Sequence, residues 1–539
     1  MRKADHLRLR ALKRSLLIAS MVLSKSAFGS DQAPPPTESG LHKLDTDATP
    51  EASPPTRASG LVMFDYQAIK IKGYQPIDLV GFHLLNKFND WLYVGVGGHA
   101  PLFKGEYGGF MAFDATVHAE QRLFGNWSAS AGASLGGGGG GKTDLQAKTI
   151  TGTGGFVKSY VGLGYRFNDV SVGLNYSKIR FTHSVIDGSQ FGLYVRTPFS
   201  YLVAPYGNAG RTLRTKQESD QGPTPAHDSN DVIILGADNL IQINPQGLNK
   251  RTVNLVDAQY NHFLTDNHYL LFGGSVGYHG LAGYNQAYGG VGYKISYSRR
   301  FNIYSQIALG SGGYAPDKID TGSGLLIYPK LSAEYRLTDS LGLSLSGGYL
   351  YAPRGTSRNM TLGAALVYRI SPKGGSFSAE RQEEKDVGFS GHRVHVFSQT
   401  QSDVRVGNRY QSKLKLLTTQ VDQTVGDNVY VPIQGSIAYS PYLGYPGFGE
   451  LLAGIGVQNK YSSDDTFQMF AQLLVGTNIH GIIIKPAVGV NVGLTDRLAI
   501  YGQVGRTMSL DNVGLYPKDF RYRSTSVGLG VTYRFSLPI

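Results

Sequence analysis

The sequence predicts an all-β chain: a transmembrane antiparallel β-barrel of about 24 strands, built from three diverged eight-strand repeats. Three observations carry that expectation. Strand-length segments alternate large apolar groups with small or polar ones, as in Val527-Gly-Leu-Gly-Val-Thr-Tyr-Arg-Phe535, where Val527, Leu529, Val531, Tyr533 and Phe535 share one side. A period of two with one apolar face suits a strand between lipid and an aqueous lumen. No run of about 20 apolar residues occurs, so no helix is available to cross a bilayer. The same landmarks also recur three times along the chain.

The landmarks set the copies in register. Asp266-Asn-His-Tyr269 leading to Gly274-Ser275 recurs as Asp427-Asn-Val-Tyr430 leading to Gly435-Ser436, and more loosely at Asp90-Trp-Leu-Tyr93. Lys158 before Tyr165-Arg-Phe-Asn-Asp169, Lys330 before Tyr335-Arg-Leu-Thr-Asp339, and Lys485 before Gly493-Leu-Thr-Asp496 align likewise. The division expected is 60–203, 232–370 and 389–539 for the repeats, with polar linkers at 204–231 and 371–388. In the second copy the strands fall near Val232–Ile243, Thr252–Phe263, Tyr269–Gly280, Tyr288–Phe301, Ile303–Gly310, Gly324–Leu337, Leu341–Tyr351 and Met360–Ile370. One barrel of about 24 strands satisfies every edge with a single closure and is the expected form; three tandem eight-stranded barrels are the alternative.

The N-terminus reads as a secretory signal over residues 1–29. Arg2, Lys3, Arg8, Arg10, Lys13 and Arg14 precede Leu16-Leu-Ile-Ala-Ser-Met-Val-Leu23, and Ala27-Phe-Gly29 supplies small residues. Residues 30–59, with Pro34-Pro-Pro36 and Pro54-Pro55, are too polar for a core and read as a disordered periplasmic arm. The formal charge of +12 falls to +6 without the leader, which leaves 44 basic against 38 acidic groups. No basic block remains for nucleic acid. The absence of Cys excludes disulfides and thiolate metal sites.

Gly530-Val-Thr-Tyr533-Arg-Phe535 resembles the C-terminal assembly signal of Gram-negative outer-membrane β-barrel proteins, Gly-x-x-aromatic-x-aromatic, carried here by Gly530, Tyr533 and Phe535. It departs from that pattern because Ser536-Leu-Pro-Ile539 follows. The resemblance extends by pattern alone from about Gly60 onward. It implies export to the cell outer membrane of a Gram-negative bacterium, with the barrel assembly machinery, outer-membrane lipid and lipopolysaccharide as partners.

Connection lengths give an orientation. Within each copy the second-to-third, fourth-to-fifth and sixth-to-seventh connections are tight, for example Asn89-Asp90, Gly125-Asn126, Asn302 and Thr338-Asp339. The others are longer, such as Gly136–Gly152 and Gly312–Gly322. Short turns belong on the periplasmic side. Alternation then places Asp114, Glu120 and Arg122 in the lumen, with Arg166, Arg300, Glu334, Arg336, Arg369 and Arg534. The six arginines gather near the periplasmic mouth as a basic ring, with Asp114, Glu120 and Glu334 as lumenal acids.

A one-sign lining concentrates counter-ions in a confined channel. The expected function is therefore an outer-membrane channel for solutes or an exported acidic polymer, for example a polysaccharide. The alternative is a structural or surface-interaction barrel meeting a polysaccharide or periplasmic partner, and the third reading is a lipid-modifying enzyme. No catalytic residue, cofactor or metal ligand is assigned. Gly136-Gly-Gly-Gly-Gly-Gly141-Lys142-Thr143 fits the phosphate-loop spacing, but Asp144–Thr153 reads as leading into another strand, not the helix that loop requires. His183-Ser184 and His227-Asp228-Ser229 lack an orienting partner. His99, His279, His392 and His395 show no metal spacing, since His392 and His395 point to opposite faces of a strand.

Overall fold

A computed structural model describes residues 55–142, 144–168, 170–215, 231–245, 252–314, 318–338, 341–369, 385–426, 428–459, 467–510 and 521–538. The leader and nearly all of the proline-rich arm lie outside them. Barrel 1 is formed by β1 (Thr56–Ile69), β2 (Ile77–Lys87), β3 (Leu92–Ala100), β4 (Met111–Arg122), β5 (Trp127–Gly139), β6 (Gly155–Phe167), β7 (Val170–Phe181) and β8 (Asp187–Val203), with one helix, α1 (Asp144–Thr151), between β5 and β6. After a short strand, β9 (Thr212–Thr215), barrel 2 takes β10 (Val232–Gln242), β11 (Thr252–Phe263), β12 (His268–His279), β13 (Asn285–Ser296), β14 (Phe301–Gly313), β15 (Leu325–Arg336), β16 (Leu341–Tyr351) and β17 (Arg358–Arg369). Barrel 3 takes β18 (Lys385–Val406), β19 (Arg409–Thr424), β20 (Val429–Ala438), β21 (Gly449–Gln458), β22 (Phe467–Asn478), β23 (Gly481–Gly493), β24 (Leu498–Ser509) and β25 (Tyr522–Pro538).

The barrel strands number 24 in three sets of eight among the described residues, as the repeats predict, but each set closes on itself. β1 pairs with β8 from Thr56↔Val203, β10 with β17 from Val232↔Arg369, and β18 with β25 from Phe389↔Pro538, all antiparallel. The alternative of three tandem barrels is therefore the structure, and the single large barrel is corrected. Counting edges favours one closure, yet the lumenal side chains decide otherwise. The partners of a lumenal lysine lie within its own copy, Asp65 for Lys158 and Asp238 for Lys330. Such contacts reach across an eight-stranded lumen but not across one whose diameter has grown with 24 strands.

Inside and outside follow the alternation. Outward groups such as Val161, Leu174, Phe191, Leu309, Leu345, Val488 and Leu529 are exposed, while polar residues such as Asp114, Lys158, Glu334, Arg393 and Gln434 are buried. Phe88, Trp91, Phe124, Trp127 and Phe167 stand exposed around the short-turn end of barrel 1, as in the aromatic girdle of a lipid-facing barrel.

The barrels are joined at their long-loop ends by three contacts of one kind, in which the end of a fifth strand meets the loop after a third strand of the next barrel. Ser311 Oγ and Ser323 Oγ of barrel 2 donate to Pro101 O and Leu102 O of barrel 1, at 2.5 and 2.7 Å. Thr477 Oγ1 of barrel 3 donates to Gly277 O of barrel 2 at 3.2 Å. The end of β5 in barrel 1 packs on Ala438, Pro446 and Gly447 of barrel 3. Gly109, Gly283 and Gly447 hold equivalent places, with φ of 89°, 87° and 93°, and each precedes a buried aromatic, Phe110, Tyr284 or Phe448. A Cβ at Gly109 would sit 2.7 Å from Gly313 C, one at Gly283 3.2 Å from Ile479 Cγ2, and one at Gly447 3.2 Å from Gly139 C. The contacts run head to tail from barrel 2 to 1, 1 to 3 and 3 to 2, so the ring closes.

At the short-turn end the linkers take part. The segment after barrel 1, expected as a plain linker, supplies β9, which pairs with the first residues of β18, and Ala204 forms a bridge with Ser536. Ser536, Leu537 and Pro538 therefore extend β25, and Ser536 docks it against the segment that leaves barrel 1.

His480 lies in the turn between β22 and β23, with its Nε2 2.5 Å from Tyr442 Oη and its ring stacked on Tyr522. Burial, helped by the Arg409 guanidinium, pulls its pKa down from 6.5 to about 4. The folded cap holds a neutral imidazole, so this contribution to stability is complete above pH 6.5 and is lost as the pH falls towards 4. Limited proteolysis of the barrel 3 loops should accelerate over that window in the native protein, and His480→Gln should remove the dependence.

Candidate functional site

The eight-stranded lumens are packed with side chains, and each is crossed by a lysine from its sixth strand. Lys158 on β6 pairs with Asp65 on β1. Lys330 on β15 pairs with Asp238 on β10 at 3.0 Å and lies 3.9 Å from Asp257 on β11. Lys485 on β23 donates to Gln399 on β18 at 2.7 Å. Towards the short-turn end a second cation is tied down in each barrel. Arg196 donates to Glu120 at 2.6 Å and Ser128 at 2.7 Å, Arg369 pairs with Glu334, and Arg393 lies 2.7 Å from Asp422. Tyr304 and Asn302 complete the shell of Glu334, at 2.8 and 3.0 Å.

The structure distributes the expected basic ring over three barrels. Arg122 and Arg166 belong to barrel 1, at the short-turn ends of β4 and β6, and are exposed. Arg300 lies in the turn between β13 and β14, not in a lumen. The tight turn expected at Asn302 is formed by Tyr297–Arg300, with Ser298 Oγ accepting from the Arg300 and Phe301 amides at 3.3 and 3.1 Å, and Asn302 is the second residue of β14, buried inside barrel 2. Arg336 is half-buried. Arg369 and Arg534 are buried inside barrels 2 and 3, where Arg534 donates to Thr495 O at 2.6 Å. The six do not share one mouth. Asp114, Glu120 and Glu334 do face lumens, as alternation predicts. The two deepest arginines, Arg196 and Arg393, were missed, although each sits at an inward position of its strand.

The C-terminal segment is ordered as a strand in which Val527, Leu529 and Val531 point outward. Tyr533 and Phe535 pack together with ring centroids 5.5 Å apart, Phe535 stacks on His392, and Gly530 lies against Phe397.

The glycine-rich segment is followed by α1, which corrects the expectation that no helix opens there, and the chain then leads into a strand, β6, as expected. It still offers no phosphate cradle. The backbone at Gly137 and Gly139 is filled by Ala438 and Pro446 of barrel 3, and Lys142 pairs with Glu106 at 3.6 Å over the Tyr107 ring. Ser184 Oγ donates to Ile150 O at 2.6 Å and accepts from the Ile186 amide, so it shapes a loop. His227, Asp228 and Ser229 lie outside the described residues.

No protein-family model and no curated protein matches the chain. Solved structures aligned with it include the ferric enterobactin receptor of Pseudomonas aeruginosa, at 10% identity over 89% of this chain and 81% of that one, with a TM-score of 0.28. The siderophore receptor PirA of Acinetobacter baumannii aligns at 10% identity over 89% and 80%, with a TM-score of 0.27. A bacterial polysaccharide outer-membrane secretin aligns at 8% identity over 88% and 98%, with a TM-score of 0.21.

One lumenal cluster has no counterpart in the sequence reading. His83 on β2, His99 on β3 and Asp114 on β4 converge inside barrel 1, with His83 Nε2 3.7 Å and His99 Nε2 3.0 Å from the two Asp114 oxygens. The inward positions of three consecutive strands are the signal that could have found it, because alternation had already turned Asp114 inward.

The fully buried Arg369–Glu334 pair gives a stability test. Glu334→Gln leaves Arg369 without its counter-charge and should cost about 3–5 kcal/mol of unfolding free energy, read by urea titration in lipid vesicles. Replacing both residues with Met should recover most of that loss.

Proposed function

We propose that the chain is an outer-membrane protein whose three barrels are closed to passive diffusion and hold a rigid external face for an acidic surface polymer. The observation that carries this reading is the filling of each lumen by paired charges, which replaces the wide arginine-lined channel. The lipid-facing belt and the alternation of short turns with long loops support placement in the outer membrane with the long loops outside. On that face barrel 1 exposes Lys70, Lys72 and Lys104 beside Tyr74 and Phe103. Ammonium groups next to aromatic rings suit an anionic polysaccharide. The reading is non-enzymatic, supported by the structural roles of Ser184 and Lys142.

A second reading, transport, is favoured by a specific feature of barrel 2. A cavity of about 20 Å³ lies among Asp238, Asp257, Gln259 and Lys330, enough for one water. Small-ion passage would require these pairs to rearrange.

Planar-bilayer recording separates the two. The reconstituted, folded chain should give no sustained conductance steps. Steady anion-selective steps that shrink with Lys330→Gln would establish the transport reading and end the closed-barrel one.

A further inference from the structure

The sixth-strand lysines and their first-strand partners, Asp65, Asp238 and Gln399, put the three lumens in a common register. Two residues before those partners, Met63, Gly236 and Phe397 stand opposite His83, Asp257 and Thr418. From there a row crosses the next two strands. It reads His83, Gly97, Asp114 in barrel 1; Asp257, Ser275, Gln286 in barrel 2; and Thr418, Ser436, Glu450 in barrel 3.

In barrel 2 the central serine ties the row together, and in barrel 3 it holds the first member. Ser275 Oγ donates to Asp257 Oδ1 at 2.6 Å and accepts from Gln286 Nε2 at 3.0 Å, and Thr418 Oγ1 donates to Ser436 Oγ at 3.0 Å. In barrel 1 the central residue is Gly97, and a Cβ there would overlap the His83 ring. The gap is flanked by His83, His99 and Asp114, which are 0%, 3% and 2% exposed. Both nitrogens of His83 and Nδ1 of His99 lack a hydrogen-bond partner, and His99 Nε2 and Asp114 Oδ2, though 3.0 Å apart, are not aligned for a hydrogen bond. Groups so deeply buried are costly to leave unsatisfied.

We propose that His83, His99 and Asp114 bind a divalent first-row transition-metal ion, for which Zn²⁺ is the reference probe. Two imidazoles and a carboxylate suit such an ion and select against Mg²⁺ and Ca²⁺. One ligand atom from each residue lies within 4.8 Å of the others. Tetrahedral ligands on bonds of roughly 2.0–2.1 Å stand about 3.3 Å apart, so small side-chain rotations close the set and leave a fourth position for water. Thr116 donates to Asp114 Oδ1 and orients the carboxylate. Asp65, fixed by Lys158, faces the same glycine gap as His99, since a Cβ at Gly81 would overlap Asp65 Oδ1 and lie 2.8 Å from His99 Nδ1. A carboxylate behind the far nitrogen of a ligating histidine is a common outer-shell arrangement. Apolar Tyr107, Phe110, Ile150 and Phe156 cover the long-loop side.

The test is Co²⁺ uptake by the full chain, purified without a histidine tag and followed by visible d–d absorption with Zn²⁺ competition. One Co²⁺ per chain, displaced by Zn²⁺, is expected. His99→Gln should abolish binding. Gly97→Ser, which writes in the residue of the other two barrels, should weaken it at least about tenfold. Folding of each variant is checked by the heat-dependent gel shift, and Gly97→Ser decides alone if His99→Gln fails that check. Loss or weakening in a folded variant supports the site. A folded native chain that takes up no Co²⁺, or uptake unchanged in every folded variant, overturns it.

Discussion

The lumen of an eight-stranded barrel has room for side chains and little else, and most of this structure follows from having to fill it. The outward positions carry exposed apolar groups, and the inward ones are largely polar or small. Buried polar groups must then satisfy one another. Lys158 with Asp65, Lys330 with Asp238, and Arg369 with Glu334 do so across or along a single narrow lumen. That short reach makes each repeat close on itself, and it removes the wide channel that an inward series of arginines suggests.

Three closed barrels on one chain resemble a cyclic trimer whose subunits have been joined. Their contacts are head to tail, and the glycine-aromatic pairs at Gly109, Gly283 and Gly447 let backbones approach where any side chain would intervene. Covalent connection lets the copies diverge, which a homotrimer cannot do. Barrel 3 receives β9 and Ala204 from the segment after barrel 1, and barrel 1 alone carries His83 and Gly97 on the row, with His99 beside it, where the others carry a central serine and its hydrogen bonds.

Much of the fold was legible in the sequence because it depends on local alternation. The strands Thr252–Phe263 and Leu341–Tyr351 fall where the pattern puts them, and Asp114, Glu334 and Arg369 face inward as read. Closure was not legible, because a strand pattern does not say which edges meet; partner charges at a distance in sequence do. Arg300 lies outside the lumen because β13, read from the sequence as running to Phe301, ends at Ser296, which leaves Arg300 in the turn and not at an inward strand position. Helix α1 was hidden by its short, mixed sequence behind six glycines. The His83, His99 and Asp114 cluster escaped because its spacing belongs to three strands, whereas metal-ligand spacing was sought within one.

Disulfide trapping tests closure most directly, since the native chain has no Cys to interfere. Phe64 and Val195 are register partners across β1 and β8, and both face outward. Separate barrels predict that Phe64→Cys with Val195→Cys forms an intramolecular link in native membranes, while Val195→Cys with Leu235→Cys on β10 does not. The reverse result, linkage of β8 to β10 without linkage of β8 to β1, would mean one continuous barrel and would contradict the account.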